Sequence, residues 1–141
     1  DCDWIGLLND TKVFYRLFSE NNQTWQQLLQ PASQTVNLDL YSLRQERVDF
    51  NSVGFQVINR VGHHIFFGKD FTESEISNLV KALASLDYRR DAQLWENNLV
   101  IDDGKGGKKI IAQMAAINKG FEVAVREVQN LTNISLGCLK E

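Results

Sequence analysis

At 141 residues, 43% apolar and 23% charged, the chain has the length and composition of one ordinary globular domain spanning 1–141. Its net charge of -3 and pI near 5.4 argue against general nucleic-acid binding, whose affinity comes from Lys and Arg on phosphates, so no nucleic acid is expected as partner. No apolar run approaches the roughly 18 residues that cross a bilayer, so no membrane span is expected either.

The chain opens Asp1-Cys2-Asp3, without an initiator Met or a basic leader. That reads as a mature, processed terminus, with a trimmed chain as the alternative. Cys2 and Cys138 are the only cysteines. A disulfide between them would tie the two ends and, in the chain-entropy picture, stabilise the fold by roughly 5 kcal/mol. Two free, buried thiols are the alternative. Sequons begin at Asn9, Asn22, Asn130 and Asn133. Asn22 and Asn130 are the better glycan acceptors, with Asn9 and Asn133 as further ones. Terminal cysteines and sequons together point to a secreted, extracellular glycoprotein.

The first half reads mainly as strand. Lys12 to Phe18 is aromatic and β-branched, which suits a pleated surface. Ser19 to Asn22 supplies turn and N-cap chemistry, and a short helix follows from Thr24 to Gln30. Pro31, the single proline, ends it. Thr35 to Tyr41 alternates, with Val36, Leu38 and Leu40 on one side, and predicts a strand. Residues 42–53 are polar and carry no clear period. Gly54 to Arg60 and His63 to Phe67 predict two more strands, joined at Val61-Gly62 by a turn or bulge.

The second half reads as helix. Thr72 and Glu75 fit a capping box, and Ile76, Leu79, Val80, Leu83 and Leu86 form one apolar stripe. Leu94 to Ile101 reads as a strand or as a short helix with an edge. Asp102 to Gly107 is a loop. Ile110, Met114, Ile117, Phe121, Val125, Val128 and Leu131 then recur at helical spacing, predicting a helix from about Lys108 to Asn130. A strand over Phe121 to Val125 competes with it. The expected fold is therefore α+β: an antiparallel sheet from the N-terminal half, packed by C-terminal helices, with the termini joined by the disulfide. The last stripe is a core face or, alternatively, a homodimer seam.

Residues able to carry chemistry are few. His63 and His64 are the only histidines, and either could act as a general acid or base with Asp70, Asp102 or Asp103 as partner. One buried and one exposed histidine without a catalytic role is the plainer reading. Asp102, Asp103, Gly104, Lys105, Gly106, Gly107 and Lys108 form an exposed loop expected to contact a partner or to receive an anion at a helix start. It lacks the GxxxxGK[ST] pattern of a phosphate loop, and a solvated turn is the alternative. No spacing suggests a metal site, and no cofactor is expected. The leading functional expectation is a secreted, non-enzymatic binding protein of toxin, effector or ligand type, acting on an unknown protein or glycan. A small secreted hydrolase, a nuclease or glycan-acting enzyme using His63 or His64, and an intracellular ligand-binding domain are the alternatives.

Overall fold

The computed structural model describes residues 4–29, 39–68 and 70–137. These residues are mainly helical, which corrects the expected α+β sandwich. In chain order they form α1 (Trp4–Glu20), α2 (Gln23–Leu28), α3 (Leu40–Glu46), α4 (Ser52–Phe67) and α5 (Glu73–Ala84). A single 3-10 turn (Gln93–Trp95), β1 (Val100–Asp102), β2 (Lys108–Ile110) and α6 (Met114–Thr132) follow. The only sheet among the described residues is the antiparallel β1–β2 hairpin, in which Val100 faces Ile110 and Asp102 faces Lys108. The expected disulfide falls on Cys2 and Cys138, which lie outside the described residues.

The first-half strands become helices because their buried positions recur every three or four residues rather than every two. In α1, Phe14 and Phe18 are buried one turn apart. In α4, Val53, Val57, Ile58, Val61 and Ile65 form one buried stripe. This helix runs through both expected strands, and Val61-Gly62 continues it instead of turning. Gly62 is small because the Phe14 ring lies against it: a Cβ there would sit 2.7 Å from Phe14 Cζ. Of the expected strand Thr35 to Tyr41, residues 35–38 lie outside the described residues. Asp39 caps α3 by accepting from the Tyr41 N–H at 3.0 Å, and Leu40 and Tyr41 are exposed in its first turn.

The second half follows the sequence more closely. Thr72 and Glu75 make both hydrogen bonds of the capping box at the start of α5. Residues 121–125 are helical, and α6 begins at Met114 because Lys108–Ile110 is occupied in the hairpin. Ile117, Phe121, Ala124, Val125 and Val128 are buried, and α6 packs on α4 and α5. The middle of the stripe is therefore core, while Met114 and Leu131 at its ends are exposed. Gly120 permits the close approach of Leu99 and Val57, against which a Cβ would lie at 2.8 and 3.3 Å. Among the described residues no helix is long and apolar enough to cross a membrane.

One backbone junction positions the site. The Arg90 N–H donates to Glu46 O at 2.7 Å, and the Val48 N–H donates to Tyr88 O at 2.9 Å. Arg47 and Arg89 thus face each other as a non-hydrogen-bonded antiparallel pair. Tyr88 anchors the junction from below: it is buried, stacks on Trp95 at 5.8 Å and donates its hydroxyl to Leu83 O at 2.5 Å.

Candidate functional site

Like charges opposite each other in a β pair repel. Here the repulsion is relieved locally, because residues two apart on an extended chain share a face. Arg47 forms two hydrogen bonds to Asp49, at 2.9 and 2.8 Å. Arg89 is paired with Asp87 at 2.7 Å, and this hydrogen-bonded carboxylate raises the pKa of Arg89 above its ordinary value. Asp87 is correspondingly held below its usual value, first by its hydrogen bond to Arg89.

Arg90 is different. Its Nη2 donates to Arg44 O at 2.5 Å, its Nε is buried without a hydrogen-bond partner, and it joins no salt bridge among the described residues. Burial pulls its pKa down from the ordinary value. The side chain stays charged, since arginine does not deprotonate in proteins.

Arg47, Arg89 and Arg90 line one side of an open groove of about 780 Å³ together with Glu46 and Asp91, and the hairpin supplies the other side with Asp103, Gly107 and Lys108. The expected contact loop, Asp102 to Lys108, is the tip of this hairpin. It does not open a helix, so no helix dipole reaches it. Asp103 Oδ1 accepts from the N–H groups of Lys105 at 2.7 Å and Gly107 at 3.0 Å, which lowers the Asp103 pKa. Gly104 and Gly106 adopt φ of 78° and 84°, a region that favours glycine. Lys108 Nζ lies 2.7 Å from Asp102 and 3.4 Å from Glu96, and its pKa is raised, chiefly by the Asp102 hydrogen bond. Lys105 and Lys109 are exposed on the same hairpin.

A second recess adjoins the groove across the end of α3. Trp25, Phe50 and Phe55 wall it, with Arg44, Asn51 and Ser52 at its edge. The Trp25 and Phe55 rings are nearly parallel, 9° apart with centroids at 6.1 Å, and Phe50 stacks on Trp25 at 5.8 Å. Arg44 O accepts from both Arg90 Nη2 and Asn51 Nδ2, so a single carbonyl joins the two depressions.

The two histidines face different sides of α4, and His63 lines a recess that also holds Asp10. Adjacent helical residues point about 100° apart. His63 is exposed with its ring 5.0 Å from Phe67, while His64 turns to Phe121 at 5.1 Å. Asp70 is exposed, and neither histidine has a carboxylate partner among the described residues. Burial lowers the His64 pKa, with smaller contributions from His63 and Arg60. Among the described residues no group of His, Cys, Asp and Glu is arranged to hold a metal ion.

Sequence reasoning placed the hairpin tip but missed Arg44, Arg47, Arg90 and the aromatic wall. The doublet Arg89-Arg90 and the spacing of Arg44 and Arg47 were the available signals. Nothing in the sequence joins Trp25 to Phe55.

Fold and groove define a mainly helical protein in which three arginines meet on an open cleft of mixed charge. Residues 8–135 match the family described as DndB: DNA-sulfur modification-associated, and the chain belongs to that family. No curated protein and no solved structure matches it.

This membership overturns the secreted toxin, effector or ligand, the secreted hydrolase, the extracellular localisation and the exclusion of nucleic acid. The physical reasons are local. Net charge averages over the whole surface, whereas phosphate binding depends on a few cations in one place. The sequon asparagines also have other work. Asn22 is buried, caps α2 and donates Nδ2 to Ala84 O at 3.2 Å, so the nitrogen a glycan needs is occupied. Asn133 closes α6 in the left-handed conformation, with φ of 58°.

Proposed function

We propose that the chain binds DNA as a component of DNA sulfur modification, holding the phosphate backbone in the groove between the 47–90 junction and the β1–β2 hairpin. The observation that carries this reading is Arg90, a permanently charged guanidinium that lines an open groove and has no carboxylate partner among the described residues. A phosphate in the groove supplies the counter-charge that Arg90 lacks among the described residues. Arg44, Lys105 and Lys109 add exposed positive charge on either side. Asp102 to Lys108 form the adjustable wall, and Asp103 acts by shaping the turn rather than by touching phosphate.

The test is anisotropy of labelled duplex DNA titrated with the protein across a salt series. Each phosphate neutralised contributes about 0.9 to the slope of log K against log salt. Arg90→Ala is expected to reduce the slope by about one phosphate's share, and Lys105→Ala with Lys109→Ala to reduce it further without altering the fold. Absence of salt-dependent binding by the unaltered protein would rule the reading out.

A second reading is contact with another protein of the modification machinery. It is favoured by the exposed side chains Ile5, Leu8 and Phe67 at 75%, 54% and 49% of their full accessibility. Sedimentation of the chain with candidate components, with and without Leu8→Asp, separates this from DNA binding.

A further inference from the structure

The recess of Trp25, Phe50 and Phe55 is built from groups that the backbone groove does not use. Its volume, about 360 Å³, falls in the range of small-molecule sites. The Trp25 indole is fixed, because Nε1 donates to the buried Asp49 at 3.0 Å. Phe55 lies parallel to it and is 37% exposed. Arg47 covers Phe50 at 5.6 Å, and Tyr15 lies parallel to Phe55 at 6.2 Å, so the exposed third of Phe55 is the part of the aromatic wall left to solvent.

The polar edge of the recess is unspent. Asn51 stands at the N-cap of α4 but makes no capping bond. Its Nδ2 instead donates to Arg44 O at 3.0 Å and Arg47 O at 2.8 Å. Its Oδ1 and the Ser52 hydroxyl have no hydrogen-bond partner among the described residues, and both residues line the recess. The first amides of the α4 helix are thus uncapped beside the exposed Arg44 guanidinium.

A planar apolar face, a free acceptor, a hydroxyl and a cation at the rim match the parts of one nucleotide. We infer that this recess receives an unpaired base of single-stranded DNA, stacked on Phe55 and Trp25, with its phosphate toward Arg44. The inference rests on the DNA-binding reading and deepens it. Arg44 O links the recess to Arg90, so a strand leaving the groove reaches the recess across the end of α3. Base stacking on aromatic side chains is tolerant of sequence, so any unpaired base qualifies.

The test compares two labelled probes against the whole chain: a short oligothymidylate and a blunt duplex. Phe55→Ala is expected to weaken oligothymidylate about tenfold, the effect of removing one stacking platform, and to leave duplex affinity unchanged. Phe55→Leu keeps apolar volume and guards against loss of the fold; it is expected to weaken the single strand similarly, while Phe55→Tyr retains parental affinity. Parental affinity in Phe55→Leu overturns the recess and leaves duplex binding standing. Duplex binding without oligothymidylate binding does the same. Failure of the unaltered protein to bind either probe removes both readings.

Discussion

The indole Nε1 of Trp25 donates to Oδ2 of Asp49 at 3.0 Å, and this bond fastens the aromatic recess to the arginine junction. Asp49 is 1% exposed and also receives both hydrogen bonds from Arg47. Asp49→Ala leaves the guanidinium and the indole N–H without their acceptor. The expected loss is about 3 kcal/mol, typical of breaking one side of a buried ion pair. Trp25→Phe removes a single hydrogen bond and leaves Asp49 held by Arg47, with an expected loss of about 1 kcal/mol beyond the change in packing. Urea unfolding of the two variants measures the difference. Equal losses would mean that Asp49 does not organise the junction.

Gly54 lies in the first turn of α4 beneath the chain leaving α3. A Cβ at this position would stand 2.0 Å from Val48 O and 2.6 Å from Val48 C. These are backbone atoms and cannot rotate away. Glycine to alanine in an ordinary helix gains about 1 kcal/mol. Here the sign reverses, and Gly54→Ala is expected to destabilise by about 2 kcal/mol through overpacking. Because Val48 also bonds to Tyr88, the strain falls on the arginine junction, and duplex affinity falls with stability. A variant that melts at or above the parental temperature would refute this account of the contact.

The same crossings explain what could be read in the letters. α5 was legible because its boundary is chemical: Thr72 and Glu75 satisfy each other whatever the rest of the chain does. The hairpin tip was legible because Gly104 and Gly106 need backbone angles that few other residues adopt. α1 and α4 were misread because Val13, Phe14, Tyr15, Val57, Ile58 and Ile65 have strand propensity, which tertiary packing overrides. Their four-residue spacing was present, yet the glycine at 62 suggested a turn when it marks a close contact between elements. The groove was illegible for another reason. It joins residues 44–47, 89–90 and 102–108, and only the folded chain shows which arginines are already matched to carboxylates.

His64 makes stability depend on pH. Its folded pKa is depressed below the ordinary 6.5, first by burial and then by His63 and Arg60. The unfolded chain therefore takes up this proton at a higher pH than the folded one. Stability from His64 is full above about pH 6.5 and falls as the solution is acidified toward the folded pKa, below which the loss is complete. His64→Gln is expected to flatten this part of the profile. Urea midpoints collected from about pH 8 to about pH 5 give the comparison. A profile in His64→Gln as steep as the parent's would assign the dependence elsewhere.

The hairpin should fail locally rather than globally. Gly104 and Gly106 lie in the left-handed region with open space around their Cβ positions, so alanine meets no clash and only backbone strain opposes it. That strain is about 1 kcal/mol for each residue. The tip is exposed and remote from the helical core, so the strain is relieved by opening the turn and releasing the Lys105 and Gly107 amides from Asp103. Gly104→Ala with Gly106→Ala is expected to speed hydrogen exchange at those amides and to weaken duplex binding several-fold, while the melting temperature stays near that of the parent. Asp103→Ala should reproduce the pattern by removing the acceptor. Parental DNA affinity in both variants, with exchange accelerated, would show that the hairpin wall takes no part in holding the backbone and would confine the phosphate contacts to Arg44 and Arg90.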